Sequence, residues 1–261
     1  MLALLSDPAA WLALVTLIVM EVVLGIDNLV FISILSNKLP EDQRARVRRV
    51  GIGLALVLRL VLLSGIAWIA GLVTPVFDLG LAGAPGPHGA PSFETAFSVR
   101  DLILIAGGVF LLYKATREIH HSVEGGEGES GEAGAGRATL GFAAAIVQIL
   151  LLDMVFSIDS ILTAVGMTDD LPVMIVAVIV AVGTMLFAAT PLANFIARNP
   201  SVVMLALGFL LMIGLVLVAD GFGVHVPKGY VYTAMGFSAL VEGLNIWARR
   251  RKARGGVEAG H

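Results

Sequence analysis

Four carboxylates lie where a lipid bilayer tolerates almost no charge, and they come in two matching pairs. Residues 21–40 read EVVLGIDNLVFISILSNKLP, and residues 153–172 read DMVFSIDSILTAVGMTDDLP. At a constant offset of 132, with no gap, Glu21 falls on Asp153, Asp27 on Asp159 and Asn28 on Ser160. Five of the 20 aligned pairs are identical, a weak signal in so apolar a composition. The pattern is stronger: an acid, five residues, then Ile-Asp and a small polar residue, twice. Asn28 and Ser160 each follow their acid by seven residues, on nearly the same helix face, and Gln148 precedes Asp153 by five. The donors are carboxylate, amide and hydroxyl oxygens, the set a hard divalent cation prefers: Mn²⁺, Mg²⁺ or Ca²⁺. Nothing soft is placed to select copper or zinc.

A charged acid at the bilayer centre costs about 2.5–3.5 kcal/mol on insertion scales, so four need protons, a cation or a basic partner. Arg59, deep in the second apolar run, could neutralise one of them, as a fixed ion pair or as a gating counter-ion. Glu242 and Asn245 stand one turn apart in the last apolar run and are candidates for a supporting or gating role. With the metal absent, the same acids could carry protons, which would give proton antiport.

These residues need elements that hold them at depth. The chain has 261 residues, 57% hydrophobic and 14% charged, with mean hydropathy +0.92. A soluble domain is nearer a quarter charged, so the composition is that of an integral membrane protein. It contains no cysteine, which excludes disulfides, thiolate metal sites and cysteine nucleophiles. The first residues, MLALLSDPAA, put no Lys or Arg ahead of the apolar stretch and predict a spanning helix rather than a cleaved signal.

About 20 apolar residues cross a bilayer as a helix. That ruler gives an all-α, polytopic membrane protein with seven spans, at 9–36, 50–74, 101–119, 140–168, 172–196, 201–219 and 229–248. Two connections are long: Thr74–Ser98, with its PGPHGAP run, and Ser122–Ala138, a Gly/Glu segment expected to be flexible. Fourteen of the 17 basic residues fall on one side of this topology, among them Arg44, Arg46, Arg48, Arg49 and the tail Arg249–Arg254. Arg100 and Lys228 fall on the other. The positive-inside rule then puts the N-terminus outside and the C-terminus in the cytoplasm.

The transmembrane domain is expected over 1–248, with a basic tail at 249–261. The offset makes repeat one 9–119 and repeat two 140–219, with 229–248 as an extra helix. Three helices per repeat is an odd number, so the copies run oppositely, as in transporters whose sites lie where inverted repeats meet. Depth then orders the acids as a ladder: Asp27 inside, Glu21 and Asp153 central, Asp159 outside. Gly51, Gly53, Gly107 and Gly108 read as close-packing positions, Pro191 as a kink, and Glu118 with His120 and His121 as a solvated helix end.

The stretches EVVLGIDN, RDLILIAGG with KATREIH, VQILLLDMVFSIDSI and HVPKGYVY together resemble the TerC family of integral membrane proteins, within the lysine-exporter-like superfamily. The resemblance runs from about Asp7 to Trp247 and is closest to the short bacterial form without appended regulatory domains. It implies a seven-helix protein of the bacterial inner membrane, tied to Mn²⁺ export or homeostasis and to tellurite resistance. The family's acidic motifs carry over onto Glu21, Asp27 and Asn28, and onto Asp153, Asp159 and Ser160. The expected function is export of a divalent cation, Mn²⁺ first, with Ca²⁺ or Mg²⁺ as alternatives. The expected partners are the lipid bilayer and the cation, with no organic cofactor, no nucleic acid and no enzymatic activity. Three rival readings are an exporter of a small organic cation, an intramembrane aspartyl hydrolase using Asp27 and Asp159, and a metal-handling scaffold.

Overall fold

The computed structural model describes residues 8–65, 71–83, 93–124, 141–168, 170–224 and 226–258. Among them run seven long helices and one hairpin: α1 (Pro8–Asn37), α2 (Glu41–Ser64), β1 (Pro75–Ala82), β2 (Glu94–Ser98), α3 (Val99–Glu124), α4 (Phe142–Val165), α5 (Leu171–Arg198), α6 (Pro200–Gly221) and α7 (Lys228–Glu258). Prolines punctuate the starts. Pro40 precedes α2, Pro172 sits in the first turn of α5, and Pro200 opens α6. In a first turn the missing N–H would have no helical partner, so proline costs nothing there.

Large apolar side chains cover the outside, while a cluster of charges lies buried within the apolar core. Val15, Val57, Val61, Leu215 and Phe237 are exposed, and Phe187 is 86% exposed. Glu21, Asp27, Asn28, Arg59, Asp153, Asp159 and Ser160 are all buried. Water would reverse that distribution, and lipid favours it. Four helices are long and apolar enough to cross a membrane: α1 from Ala10, α4, α5 and α6. The remaining helices, α2, α3 and α7, carry more charge or less hydropathy.

Packing is pairwise. α1 lies along α5, α2 along α4, and α3 along α6; α1 also meets α4, and α2 meets α5. Lipid supplies no hydrophobic drive between helices, so close backbone approach does the work. A Cβ on Gly25 would fall 1.7 Å from Met185 Cε, one on Gly51 2.9 Å from Ile149 Cδ1, and one on Gly107 2.6 Å from Val155 Cγ1. Gly108 and Gly214 approach each other reciprocally: a Cβ on either would lie 2.6 or 3.0 Å from the other's carbonyl oxygen. Gly53, also expected at a contact, faces open space. Pro191 lies inside α5.

Three boundaries differ from expectation. The first part of the run expected at 50–74 belongs to a helix that begins at Glu41 and is closed by Gly65, whose N–H donates to Val61 O and Leu62 O, and residues 66–70 of that run lie outside the described residues. Its first turns are polar, and they dock on the end of α1. Arg44 Nε donates to Leu39 O at 2.8 Å, and Arg48 Nη1 to Ser36 Oγ at 3.1 Å. Cations there also meet the negative end of the α1 dipole. The second departure is the hairpin, since the chain read as helical throughout. β1 and β2 pair antiparallel, Pro75 with Ser98 and Asp78 with Ala96. Phe97 packs between Phe77, at 5.2 Å, and Phe222 at the end of α6, at 5.4 Å. The PGPHGAP run lies outside the described residues. Lastly, α3 and α7 outrun their apolar stretches, reaching Glu124 and Glu258. The rest of the Gly/Glu connection falls outside the described residues.

Candidate functional site

Arg59 is the centre of the buried charge. It projects from α2 and is 4% exposed. Its Nη1 donates to Glu21 Oε2 on α1 at 2.6 Å, and its Nη2 to Asp153 Oδ1 on α4 at 2.8 Å. Nε adds contacts to Asp153 Oδ1 and Oδ2 at 3.1 and 3.3 Å. The planar guanidinium fork is what lets one cation hold two carboxylates on different helices. Asp153 is further held by Asn28 Nδ2, at 3.3 Å, and by Ser157 Oγ, at 3.1 Å. Two acids against one arginine leave this cluster one negative charge in excess.

Asp27 is placed differently. It is 5% exposed, yet among the described residues no hydrogen bond or ion pair reaches its carboxylate. The next residue offers the same opportunity: Asn28 Oδ1 is buried with no hydrogen-bond partner. Two adjacent oxygen acceptors thus face the interior unsatisfied, a costly arrangement unless a cation or a proton serves them.

Asp159 belongs to a second ion pair. Arg100 Nη2, from the first turn of α3, lies 2.9 Å from Asp159 Oδ1, and Arg100 Nη1 lies 3.5 Å from Asp101 Oδ1. A capping box fixes that turn: Ser98 N–H donates to Asp101 Oδ2 at 2.8 Å, and the Asp101 N–H donates to Ser98 Oγ at 3.2 Å. Tyr232 of α7, half-buried, stands within electrostatic reach of both Asp27 and Asp159. Neither Arg100 nor Tyr232 was expected at the site. Arg100 was legible as an isolated cation on the sparsely charged side.

The other expected residues lie apart from the arginine. Ser160 Oγ donates to Ser157 O within α4 at 3.3 Å. The buried Gln148 Oε1 has no hydrogen-bond partner, and its side chain lines a small cavity with Lys38, Lys114 and Glu118. Glu242 accepts from Ser201 Oγ at 2.5 Å and from Arg249 Nη2 at 2.8 Å, joining α7 to the start of α6, with Asn245 one turn further along α7. Among the described residues no three of His, Cys, Asp and Glu cluster closely enough to hold a metal by themselves. The four acids therefore do not form one carboxylate cage. They divide into an arginine-bridged pair, a latched acid and an unpartnered one.

The profile of the integral membrane protein TerC family matches residues 6–255. The chain belongs to that family. Among TerC-like relatives, the UPF0053 inner membrane protein YgdQ of Escherichia coli is 49% identical over 242 residues, covering 93% of this chain and 94% of YgdQ. The UPF0053 inner membrane protein YoaE of Escherichia coli is 49% identical over 250 residues, and UPF0053 protein YegH is 47% identical over 251. The chain spans less than half the length of these last two, 45% and 44%. No solved structure matches it. With its apolar helices, this similarity makes the chain a multi-pass inner membrane protein.

Proposed function

We propose that this TerC-family chain exports a divalent metal cation, Mn²⁺ as first substrate, in exchange for protons, through the buried oxygens of α1 and α4. The observation that carries the reading is the buried Asp27 carboxylate, which no hydrogen bond reaches among the described residues, next to Asn28, whose Oδ1 has no partner while its Nδ2 donates to Asp153 of the arginine cluster. Arg59 is the resident counter-ion of Glu21 and Asp153, and it holds a fixed negative surround. Asp27 and Asn28 supply hard oxygens to the passing ion, and Asp27 takes up a proton when the ion leaves. Mn²⁺ is favoured over Mg²⁺ and Ca²⁺ by the family resemblance, and all three fit the donor chemistry.

The same reading takes all seven long helices as spans, with the N-terminus outside. Reciprocal pairing supports the inverted repeat: α1 with α5 answers α2 with α4, while α1–α4, α2–α5 and α3–α6 join equivalent elements. The hydrolase alternative needs Asp27 and Asp159 to share a proton. Asp159 is instead engaged by the Arg100 guanidinium at 2.9 Å, which speaks against that sharing.

The test is flux of Mn²⁺, Mg²⁺ and Ca²⁺ through proteoliposomes holding wild type or Asp27→Asn. Wild type should move Mn²⁺ and acidify or alkalinise the lumen in step. The variant should lose flux and unfold within a few degrees of wild type, because Asp27 has no bonded partner to forfeit. Undiminished flux in Asp27→Asn, or none in wild type for any of the three ions, overturns the proposal.

A further inference from the structure

Beside its long packing on α6, α3 makes three contacts with α4 and the end of α1 that differ in kind. At one end Arg100 pairs with Asp159 of α4. At the other, Glu118 pairs with Lys38, just beyond the end of α1. Between them Gly107 presses on Val155 of α4, with no room for a side chain. At 1.5 Å per residue the two ion pairs lie about 27 Å apart along α3, with Gly107 about 10 Å from Arg100.

A cavity lies at each ion pair, reached by Arg100 at the first and by both partners at the second. Arg100 lines one of about 200 Å³ with Glu94, Ser98, Asp101 and Asp220, beneath the hairpin. Lys38 and Glu118 line one of about 60 Å³ with Gln148, at the opposite end. α3 is bound far more tightly to α6 than to α4. The Gly108–Gly214 crossing and Gly221, whose Cβ would lie 2.8 Å from Asp101 O, seat the two helices together along their length.

From these contacts we infer that α3 and α6 move as one beam, rocking on the Gly107–Val155 contact, with Arg100–Asp159 and Glu118–Lys38 as alternating latches. Both latches are closed in this structure, which is therefore the occluded state. Opening the first joins the hairpin-side cavity to Asp159. Opening the second widens the opposite cavity, which Gln148 already lines, toward the solvent beyond Lys38 and Glu118. A rigid beam on a central contact cannot open both ends together, so the latches exclude one another. The inference rests on the transport reading, which supplies the need for alternating access, but its test involves no transported ion.

The chain has no native cysteine, so single-cysteine reporters are clean. Ser160→Cys reports the hairpin side and Gln148→Cys the opposite side, each labelled in proteoliposomes by a membrane-impermeant thiol reagent. Arg100→Gln should raise Ser160→Cys labelling up to about fivefold, the population shift from losing one partly buried ion pair, and lower that of Gln148→Cys. Lys38→Glu should do the reverse. Adding Glu118→Lys to Lys38→Glu rebuilds the latch in swapped form and should restore wild-type labelling at both reporters, which excludes misfolding as the cause. Labelling that rises at both reporters, or at neither, or a swapped pair that restores nothing, overturns the rocking beam. Reciprocal labelling alongside absent Mn²⁺ flux would leave the beam standing and remove the transport reading alone.

Discussion

Replacing Arg59 by methionine tests whether the buried cluster is held by charge. At an effective dielectric near 20, unit charges at the two contact distances of 2.6 and 2.8 Å attract by roughly 6 kcal/mol each. Most of that gross attraction offsets the desolvation of three ions. What the substitution exposes is the penalty of leaving the acids unpaired, about 3–5 kcal/mol for a broken buried pair. For a chain of this size that corresponds to a fall in Tm of about 6–20 °C, at 2–4 °C per kcal/mol. Arg59→Lys should fall between methionine and wild type, because an ammonium cannot fork to both carboxylates. The decisive variant is the neutral triple, Glu21→Gln, Asp153→Asn and Arg59→Met, which removes the charges together. It should recover much of the loss shown by Arg59→Met alone. The assay is thermal unfolding of the four purified proteins in one detergent at one ionic strength. A methionine variant as stable as wild type, or a neutral triple no better than the single substitution, refutes the assignment.

Two further outcomes follow from local geometry. Gly108→Ala should cost about 1–3 kcal/mol, since its Cβ meets the Gly214 carbonyl, which is backbone and cannot swing aside. Gly25→Ala should cost less despite a nominally closer clash, because the obstruction is the mobile end of Met185; Tm values of the two variants, which should rank in that order, decide it. Ser98→Ala removes the capping box under Arg100 and should cost about 1 kcal/mol, with Ser98→Asp restoring it, measured by unfolding or by hydrogen exchange in the first turn of α3.

Burial was legible from residue types alone. An acid in an apolar run either is buried or prevents insertion, and all four repeat-related acids are buried. Partners were less legible, because a pairing across helices depends on rotation about each helix axis, which hydropathy does not encode. Arg59 was readable as a counter-ion for one acid. That it bridges two, from α1 and α4, follows only from how α2 lies between them. Arg100 went unread for the same reason: sequence places it at a helix start, and only the packing of α3 brings it to Asp159. Helix ends were misjudged wherever the backbone outlasts the apolar run, as at Glu41 and Glu258, since hydrogen bonding continues after the side chains change character. The hairpin escaped because the prolines and glycines between its strands suggest a loop, and PVFDLGLA is too short to display a convincing alternation.

That hairpin also shapes how the protein behaves once extracted from lipid. Every residue of β1 is exposed, with Val76 62%, Leu79 62% and Leu81 61% accessible. Among the described residues only β2 pairs with it. Its outer margin therefore presents unused amide and carbonyl groups beside bare aliphatic side chains, the template on which strands of neighbouring molecules add to one another. In concentrated micellar solution this margin is where self-association is expected to begin, independent of whatever the chain carries.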